Sequence, residues 1–417
     1  MKHRLFICVI AVFIFHSGHA QLSIEACYEK ATANYPLISQ YDLIEKSKDY
    51  NLSNIGKGYL PQVQVSAKAT YQSEVTKIPV DIPGIKGMSK DQYGTTLDVN
   101  QTIWDGGVIS AQKENIRSQA EVNKRSLEVN LYTIRERVNQ LFFGVLLHNE
   151  MLKQNTLYQE ELERNFKQVS AYIENGLANQ ADLDAVEVEQ IKTSQNRTEL
   201  IYSRKAYLEM FSALVGERID EHTLLIKPVV DQSYSLNGQR PELSLYEAQF
   251  QGLDARKKEV HAGLMPKFNV FVTGGYGKPG LNMLENKFSA YYIGGVSLSW
   301  NLGSFYTRRN KLNNIKVDRG MIETQRETFL FNNRLDIIQN DNEVQKIRKL
   351  LTSDDDIIRL RGSVKRSAEA KVGNGTLSVL DLMKEINVEQ QAIQHKIVHE
   401  IELMQTIYNL KYISNTN

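Results

Sequence analysis

Two stretches of the chain share one pattern, LPQVQVSAKATY at residues 60–71 and MPKFNVFVTGGY at residues 265–276. In each, a proline precedes residues that alternate between apolar and polar, as expected of a half-exposed β-strand. Pro61 and Pro266 are 205 residues apart, and so are Pro36 and Pro241. A constant offset over this length indicates an internal duplication, so the chain has to be interpreted as two repeats of one unit.

Each repeat contains a second alternating segment after a loop rich in proline or glycine. We predict strands at about 62–74 and 93–104 in the first repeat, and at about 267–277 and 291–302 in the second. Strands of about ten residues are long enough to cross a bilayer at a tilt. A soluble β-sandwich has the same alternation, so the pattern alone leaves both possibilities open.

Aromatic residues lie near the ends of these predicted strands. Tyr71, Tyr93, Tyr276 and Tyr292 are close to the loops, and Trp104 and Trp300 are close to the opposite ends. Rings in such positions are typical of membrane–water interfaces. They favour the membrane interpretation, and we expect these six residues to mark the two interfaces.

The strands are flanked by helical segments, the longest predicted at 108–173 and 308–372. In the first of these, apolar residues follow a seven-residue frame that is typical of a supercoiled helix; they are Ala120, Leu127, Leu131, Ile134, Val138, Leu141 and Val145. After each long helix the chain turns, at about 174–182 in the first repeat and at about 372–378 in the second, and a further helix returns from the turn. We call these two turns the tips. The predicted domains are a first repeat over 21–216, a connector over 217–239 and a second repeat over 240–417.

Residues 1–20 have a basic start, an apolar run and small residues before Gln21, as in a secretory signal peptide. The mature chain then keeps only Cys27, which cannot form an internal disulfide. Removing Lys2 and Arg4 changes the balance from 50 basic and 49 acidic residues to 48 and 49. This neutrality argues against a nucleic-acid partner. A membrane-inserted form would need strands closed into a barrel, because lipid tolerates no unpaired backbone edge.

Motifs for catalysis or cofactor binding are missing from the sequence. It has no glycine-rich phosphate loop, nucleophile elbow or Cys/His metal spacing. His395 and His399 share a helical face, but no third ligand accompanies them. The acidic run Asp354–Asp356 is expected to be a solvated helix face. We therefore predict a protein that is not an enzyme and that needs no cofactor or metal.

The chain resembles the TolC-like outer-membrane efflux family. The resemblance lies in the proline-headed strands, the joint IWDGG at 103–107, the tips NGLANQADLDA at 175–185 and GNGTLSVLDL at 373–382, and the duplication itself. At 300–305, WNLGSF replaces the acidic double-glycine turn of the family. The resemblance implies a mainly α-helical protein with a membrane β-barrel: four strands per chain contribute to a trimeric 12-stranded barrel, and long coiled helices continue it as a periplasmic tunnel.

The implied function is that of a passive outer-membrane exit duct in a tripartite efflux or type I secretion system, gated at its periplasmic tip. The implied partners are two further copies of the chain, a periplasmic adaptor, an inner-membrane pump and outer-membrane lipid. A periplasmic coiled-coil scaffold or adhesin without a pore is the alternative. Multidrug, metal and protein export remain open as substrate classes.

Family members narrow the tunnel with acidic residues near the tip, and the resemblance transfers this role to particular positions. Asp381 matches one acidic position of the second repeat, and Ser378 occupies the other. Asp182 is the matching acid of the first repeat, with Asp184 two residues further. Rings of carboxylates at a constriction bind cations and repel anions. Capping of a helix N-terminus is the other role that an aspartate in a first turn can have.

Overall fold

The computed structural model describes residues 22–76, 87–229 and 240–415. The predicted signal peptide lies outside the described residues, as do parts of the first hairpin loop and of the connector. Helices and strands follow one another in the order α1 (Ile24–Asn34), α2 (Gln40–Gly56), β1 (Gln62–Tyr71), β2 (Asp91–Trp104), α3 (Val108–Tyr132), α4 (Ile134–Glu174), α5 (Gln180–Val215), α6 (Pro241–Ala262), β3 (Lys267–Lys278), β4 (Ser289–Ser299), α7 (Ser304–Gly373) and α8 (Val379–Ser414).

Some helix and strand boundaries differ from those expected from the sequence. At these places the backbone N–H and C=O groups cannot form, or do not form, the hydrogen bonds of the expected helix or strand. The helical region before β1 is divided into α1 and α2 near Pro36, because proline lacks the N–H of a helix interior. The strand expected at 291–302 ends at Ser299. The carbonyls of Asn301 and Leu302 accept the N–H groups of Ser304 and Phe305 at 3.2 and 3.1 Å, so the chain there already belongs to the entry into α7.

The long helix expected over 108–173 has one interruption, at Thr133 between α3 and α4. Thr133 keeps right-handed helical dihedral angles, with φ −63° and ψ −17°. All seven residues of the predicted seven-residue frame are buried. The periodicity in the sequence therefore identified the buried side of both helices.

Two compact units can be distinguished, and each contains segments of both sequence repeats. Unit 1 includes residues 22–38, 131–229 and 332–415, and unit 2 includes 39–76, 87–130 and 240–331. Within unit 2, all four strands form one antiparallel sheet in the order β1-β2-β3-β4. Pairing of β2 with β3, with Val99 opposite Val272, joins the two repeats in that sheet.

The sheet of unit 2 has an apolar face that remains exposed. Residues directly opposite one another point to the same side of a sheet, which places most of the apolar residues of the four strands on one face. Val65, Val272 and Val296 are 69%, 47% and 82% exposed. A contiguous exposed apolar surface indicates contact with a membrane or another protein.

Unit 1 is a helical assembly with an aromatic and aliphatic core. Phe142 packs edge-on against Phe143 and Phe211, and Phe143 also contacts Tyr408. A second cluster lies beside the tips and joins α4, α5, α7 and α8; its members include Leu162, Val186, Val372 and Ile386. Within the described ranges, no helix has a stretch both long and apolar enough to cross a membrane.

Candidate functional site

The two tips of unit 1 have the same backbone structure. Gly176 and Gly375 have positive φ values of 72° and 68°, which favour glycine. Leu177 N–H donates to Tyr172 O at 2.8 Å, and Thr376 N–H donates to Lys371 O at 2.9 Å. These bonds satisfy carbonyls at the ends of α4 and α7 in the same helix-terminating motif. The duplication seen in the sequence therefore extends to hydrogen bonds.

The aspartates assigned to the tips lie in the first turns of α5 and α8. In α5, Asn179 and Asp182 form a reciprocal capping box: the Asn179 side chain accepts from Asp182 N–H at 3.2 Å, and Asp182 Oδ2 accepts from Asn179 N–H at 3.0 Å. In α8, Ser378 Oγ accepts from Asp381 N–H at 3.1 Å. Asp182 and Asp381 thus occupy equivalent cap positions. Asp184 is exposed and accepts a 2.8 Å bond from Gln180 of the same turn.

Asp381 has two side-chain donors as well. Lys384 Nζ donates to Oδ1 at 2.9 Å, and the Ser378 hydroxyl donates to Oδ2 at 2.7 Å. The bond from Lys384 and then the bond from Ser378 lower the pKa of Asp381 below its ordinary value. The carboxylate is therefore held in its charged form, and it remains about half exposed, at 48%.

The sequence analysis did not predict a partly buried network of ion pairs that lies beside the tip core. Lys365 of α7 donates to Glu161 of α4 at 2.8 Å and contacts Glu389 of α8 at 2.5 Å. Gln390 donates to the other Glu161 oxygen at 3.0 Å. Burial alone would lower the pKa of Lys365, but the bonds to Glu161 and Glu389 outweigh it and raise the pKa. One charged amine thus ties three helices of unit 1 together.

A second long-range pair corrects the expectation for the acidic run of α7. Asp354 is 7% exposed and not solvated, because its Oδ2 lies 2.6 Å from His399 Nδ1 of α8. His395, the other histidine of that face, is exposed. Within the described ranges, no group of three or more His, Cys, Asp or Glu side chains is arranged to hold a metal ion.

In unit 2, the joint between β2 and α3 is organised by Asp105, which is 4% exposed. Its carboxylate accepts from Tyr59 Oη and Gly107 N–H at 2.9 Å each, and from Ile109 N–H at 2.5 Å. Burial alone would raise the pKa of Asp105, but the bonds from Ile109, Tyr59 and Gly107 together lower it. The family-like IWDGG motif therefore encodes a charged helix cap.

The six predicted interface aromatics are all exposed, which leaves their rings available to a surrounding phase; they are Tyr71, Tyr93, Trp104, Tyr276, Tyr292 and Trp300. Trp104 packs against Phe268 at the sheet end beside α3, with ring centroids 5.7 Å apart. Trp300 lies just beyond β4 and donates from Nε1 to Leu264 O at 2.9 Å. The membrane role of all six residues stays a prediction.

The fold and the duplicated tips can be compared with known families and solved structures. Residues 27–217 match the family model described as "Outer membrane efflux protein". No curated protein sequence matches the chain.

Solved structures with the same fold cover nearly the whole chain. The outer-membrane channel OprN has a TM-score of 0.71 and 14% identity over 94% of this chain and 90% of its own. The outer membrane protein VceC of Vibrio cholerae has a TM-score of 0.70 and 12% identity, covering 94% and 96%. The open-state MtrE channel of Neisseria gonorrhoeae has a TM-score of 0.70 and 11% identity, covering 94% and 89%. The resemblance to the outer-membrane efflux family is confirmed, and the fold is that of these channels.

Proposed function

We propose that three copies of this chain form a passive exit duct in the outer membrane. The sheets of the three copies would close a 12-stranded barrel, and the helices would continue it into the periplasm. The family match over residues 27–217 and the fold shared with outer-membrane channels support this assignment.

The observation that carries the proposal is the pair of open sheet edges beside the exposed apolar face. β1 and β4 each pair with a single neighbour within the chain. Every residue of β1 is exposed. Unpaired strand edges are prohibitive in lipid, and pairing of β4 in one copy with β1 of the next removes them. Apolar side chains on the outer face would then contact the acyl chains.

The duct would work with an inner-membrane pump reached through a periplasmic adaptor, in an efflux or a type I secretion system. A passive channel needs a separate source of energy, and the sequence has no phosphate-binding loop of its own. The exported compound, whether a drug, a metal ion or a protein, would be chosen by that pump.

Conductance tests the duct directly. The mature chain, purified in detergent, is expected to behave as a trimer in light scattering and to form cation-selective channels in a planar lipid bilayer. A periplasmic scaffold or adhesin without a pore would instead leave the membrane fraction in high salt and give no channels. That result would reject the proposal.

The proposed gate consists of carboxylates at the tips, with Asp381 as its main charge and Asp182 and Asp184 as the acids of the first repeat. Ser378 replaces a second acid in the second repeat, which predicts a weaker barrier than in the family. In a trimer each carboxylate is present three times, and such rings attract cations.

Capping and charge can be separated at this gate. Asp381→Asn keeps the cap from Ser378 to residue 381 but removes the charge, so cation selectivity and block by divalent ions should fall. Ser378→Ala removes the cap and keeps the charge, so selectivity should stay while the start of α8 is destabilised. Wild-type selectivity in Asp381→Asn would remove this residue from the gate.

A further inference from the structure

The base of α7 has a charge pattern that the duct function does not explain. Between Trp300 and Val317 the chain has four cationic residues, Arg308, Arg309, Lys311 and Lys316, and no acidic residue. We call these four residues the basic collar. The N-terminus of a helix carries a partial positive charge whose effect is confined to about the first turn, and the collar begins just after that turn of α7, at Arg308. The collar therefore places a group of like charges beside the helix N-terminus, and such a group attracts anions.

Neighbouring acids are already engaged elsewhere. All four collar side chains are exposed, and no described residue forms an ion pair with them. Asp318 pairs instead with Arg256 at 3.0 Å. Asp254 lies 3.8 Å from Arg319, its ion-pair partner. The chain thus neutralises the cations around the collar but not the collar itself.

A cavity of about 480 Å³ opens between α6 and the start of α7, within unit 2. Its charged lining consists of Arg256, Arg308 and Lys311 with one acid, Glu259. Glu259 already accepts a 3.2 Å bond from Asn115. The lining is therefore net cationic and has room for a small anionic group.

The residues before the collar are apolar and exposed. Leu298, Trp300 and Leu302 are 61%, 53% and 58% exposed. The indole N–H of Trp300 is bonded to Leu264 O, so its ring presents only an apolar surface. Apolar strand, exposed indole and basic helix then follow one another along the chain. This is the order expected from acyl chains through the interface to charged headgroups.

We propose that the basic collar binds the headgroups of anionic phospholipids, of the phosphatidylglycerol class, on the side of the membrane where the helices emerge. The inference rests on the proposed membrane position of the sheet. Guanidinium groups of Arg308 and Arg309 match the oxygens of a phosphodiester as paired donors, and Lys311 adds a point charge. A headgroup there also supplies the anion that the start of α7 lacks.

Quenching of Trp300 by brominated lipids provides the test. The chain has two tryptophans, so Trp104→Phe leaves Trp300 as a single fluorophore beside the collar. This variant is reconstituted in phosphatidylcholine vesicles that contain increasing fractions of brominated phosphatidylglycerol or brominated phosphatidylcholine. We expect phosphatidylglycerol to bind at least about fivefold more tightly, the factor for one basic side chain near an anionic surface.

Charge variants assign the preference to the collar. Arg308→Gln/Arg309→Gln/Lys311→Gln should reduce the preference to about one. The matched control Lys46→Gln/Arg117→Gln/Lys257→Gln removes the same charge from exposed residues of unit 2 that have no ion pair among the described residues. It should keep the preference, and 0.5 M NaCl should weaken it in the wild type. A collar variant with unchanged preference would overturn the inference.

Two further outcomes would also overturn it. Loss of the preference in the presence of millimolar inorganic phosphate would indicate a site for free anions. Dissociation of the oligomer in the collar variant would assign the cations to a contact between copies. If the proposed membrane position of the sheet were wrong, brominated lipid with either headgroup would leave Trp300 unquenched. Failure of the proposed function can therefore be distinguished from failure of the lipid preference. Equal quenching by both lipids rejects only the lipid preference.

Discussion

The two strand-to-helix joints of unit 2 occupy equivalent places in the repeats but have opposite charge. After β2, the chain turns through Asp105, and the buried carboxylate accepts three hydrogen bonds around the start of α3. After β4, Asn301 takes the place of the acid, and the first turns of α7 carry only cations.

The two joints differ in whether the chain itself supplies an anion at the helix N-terminus or leaves that place to an anionic ligand. The first joint supplies its own anion and neutralises the helix N-terminus within the chain. In the second, backbone carbonyls of residues 301–303 accept the first N–H groups, but no carboxylate is present. The two joints therefore diverged in their electrostatics, although each leads from a strand into a long helix.

The largest expected effect comes from removing the acid of the first joint. Asp105→Ala leaves Tyr59 Oη and two backbone N–H groups without their acceptor, so the free energy of unfolding should fall by about 3 to 5 kcal/mol. Guanidinium unfolding of the refolded protein, followed by circular dichroism, measures this change.

Asn301→Ala is the matched control, because its side chain makes no hydrogen bond among the described residues; it should change the free energy of unfolding by less than about 0.5 kcal/mol. Equal effects of the two substitutions would mean that the joints do not differ in the way described.

The next largest effect concerns the glycines of the joints. Gly106 has φ +72°, and an added Cβ would lie 2.4 Å from Met265 Cβ. Gly106→Ala should therefore reduce the free energy of unfolding by roughly 2 to 3 kcal/mol through backbone strain and overlap.

Gly107→Ala separates these two causes, since Gly107 has φ +86° but no atom within 4 Å of the added carbon. It should cost only about 1 to 2 kcal/mol. Gly303→Ala, in the second joint, should be nearly neutral because Gly303 has no positive φ, and the atom 3.2 Å from the added carbon is Oδ1 of the exposed Asn301 side chain, which can move. The same unfolding titrations give all three values, and a Gly303→Ala effect as large as that of Gly106→Ala would contradict the comparison.

Stability should also depend on pH through the first joint. The folded-state pKa of Asp105 is lowered, so its stabilisation is complete above the unfolded-state pKa near 4 and is lost as the pH falls through the folded-state pKa. The wild type should lose unfolding free energy between about pH 5 and pH 2 more steeply than Asp105→Asn. Parallel pH profiles for the two proteins would show that the carboxylate is not charged in the folded state.

The sequence predicted these joints only in part. Alternation and proline spacing located the strands, because side-chain period follows directly from backbone geometry. The resemblance picked out IWDGG but not the bond from Tyr59, which lies 46 residues away in sequence. Asp354 was wrongly expected to be solvated, since its partner His399 is 45 residues further along. Such pairs depend on the packing of separate helices, which no local pattern encodes.

The tips, too, could be predicted only in part from the sequence. The glycine-containing breaks at the tips predicted approximately where α5 and α8 begin, and the sequence also offered capping as a role for the tip aspartates, because a cap is made by residues three apart in the chain. The network around Lys365 was not predicted, since it joins residues of α4, α7 and α8. Whether the tip carboxylates line a pore depends on further copies of the chain, which the sequence pattern of one copy does not specify.

The smallest expected effect comes from giving the second joint the acid of the first. Asn301→Asp places a carboxylate next to the start of α7, where it complements the helix dipole, and the free energy of unfolding should rise by about 0.3 to 1 kcal/mol. The same carboxylate would compete with phospholipid for the basic collar. Trp300 quenching should then show a weaker preference for phosphatidylglycerol in this variant, while Asn301→Ala keeps it. A stabilised protein with an undiminished lipid preference would mean that the anion required by α7 and the anion bound by the collar are different.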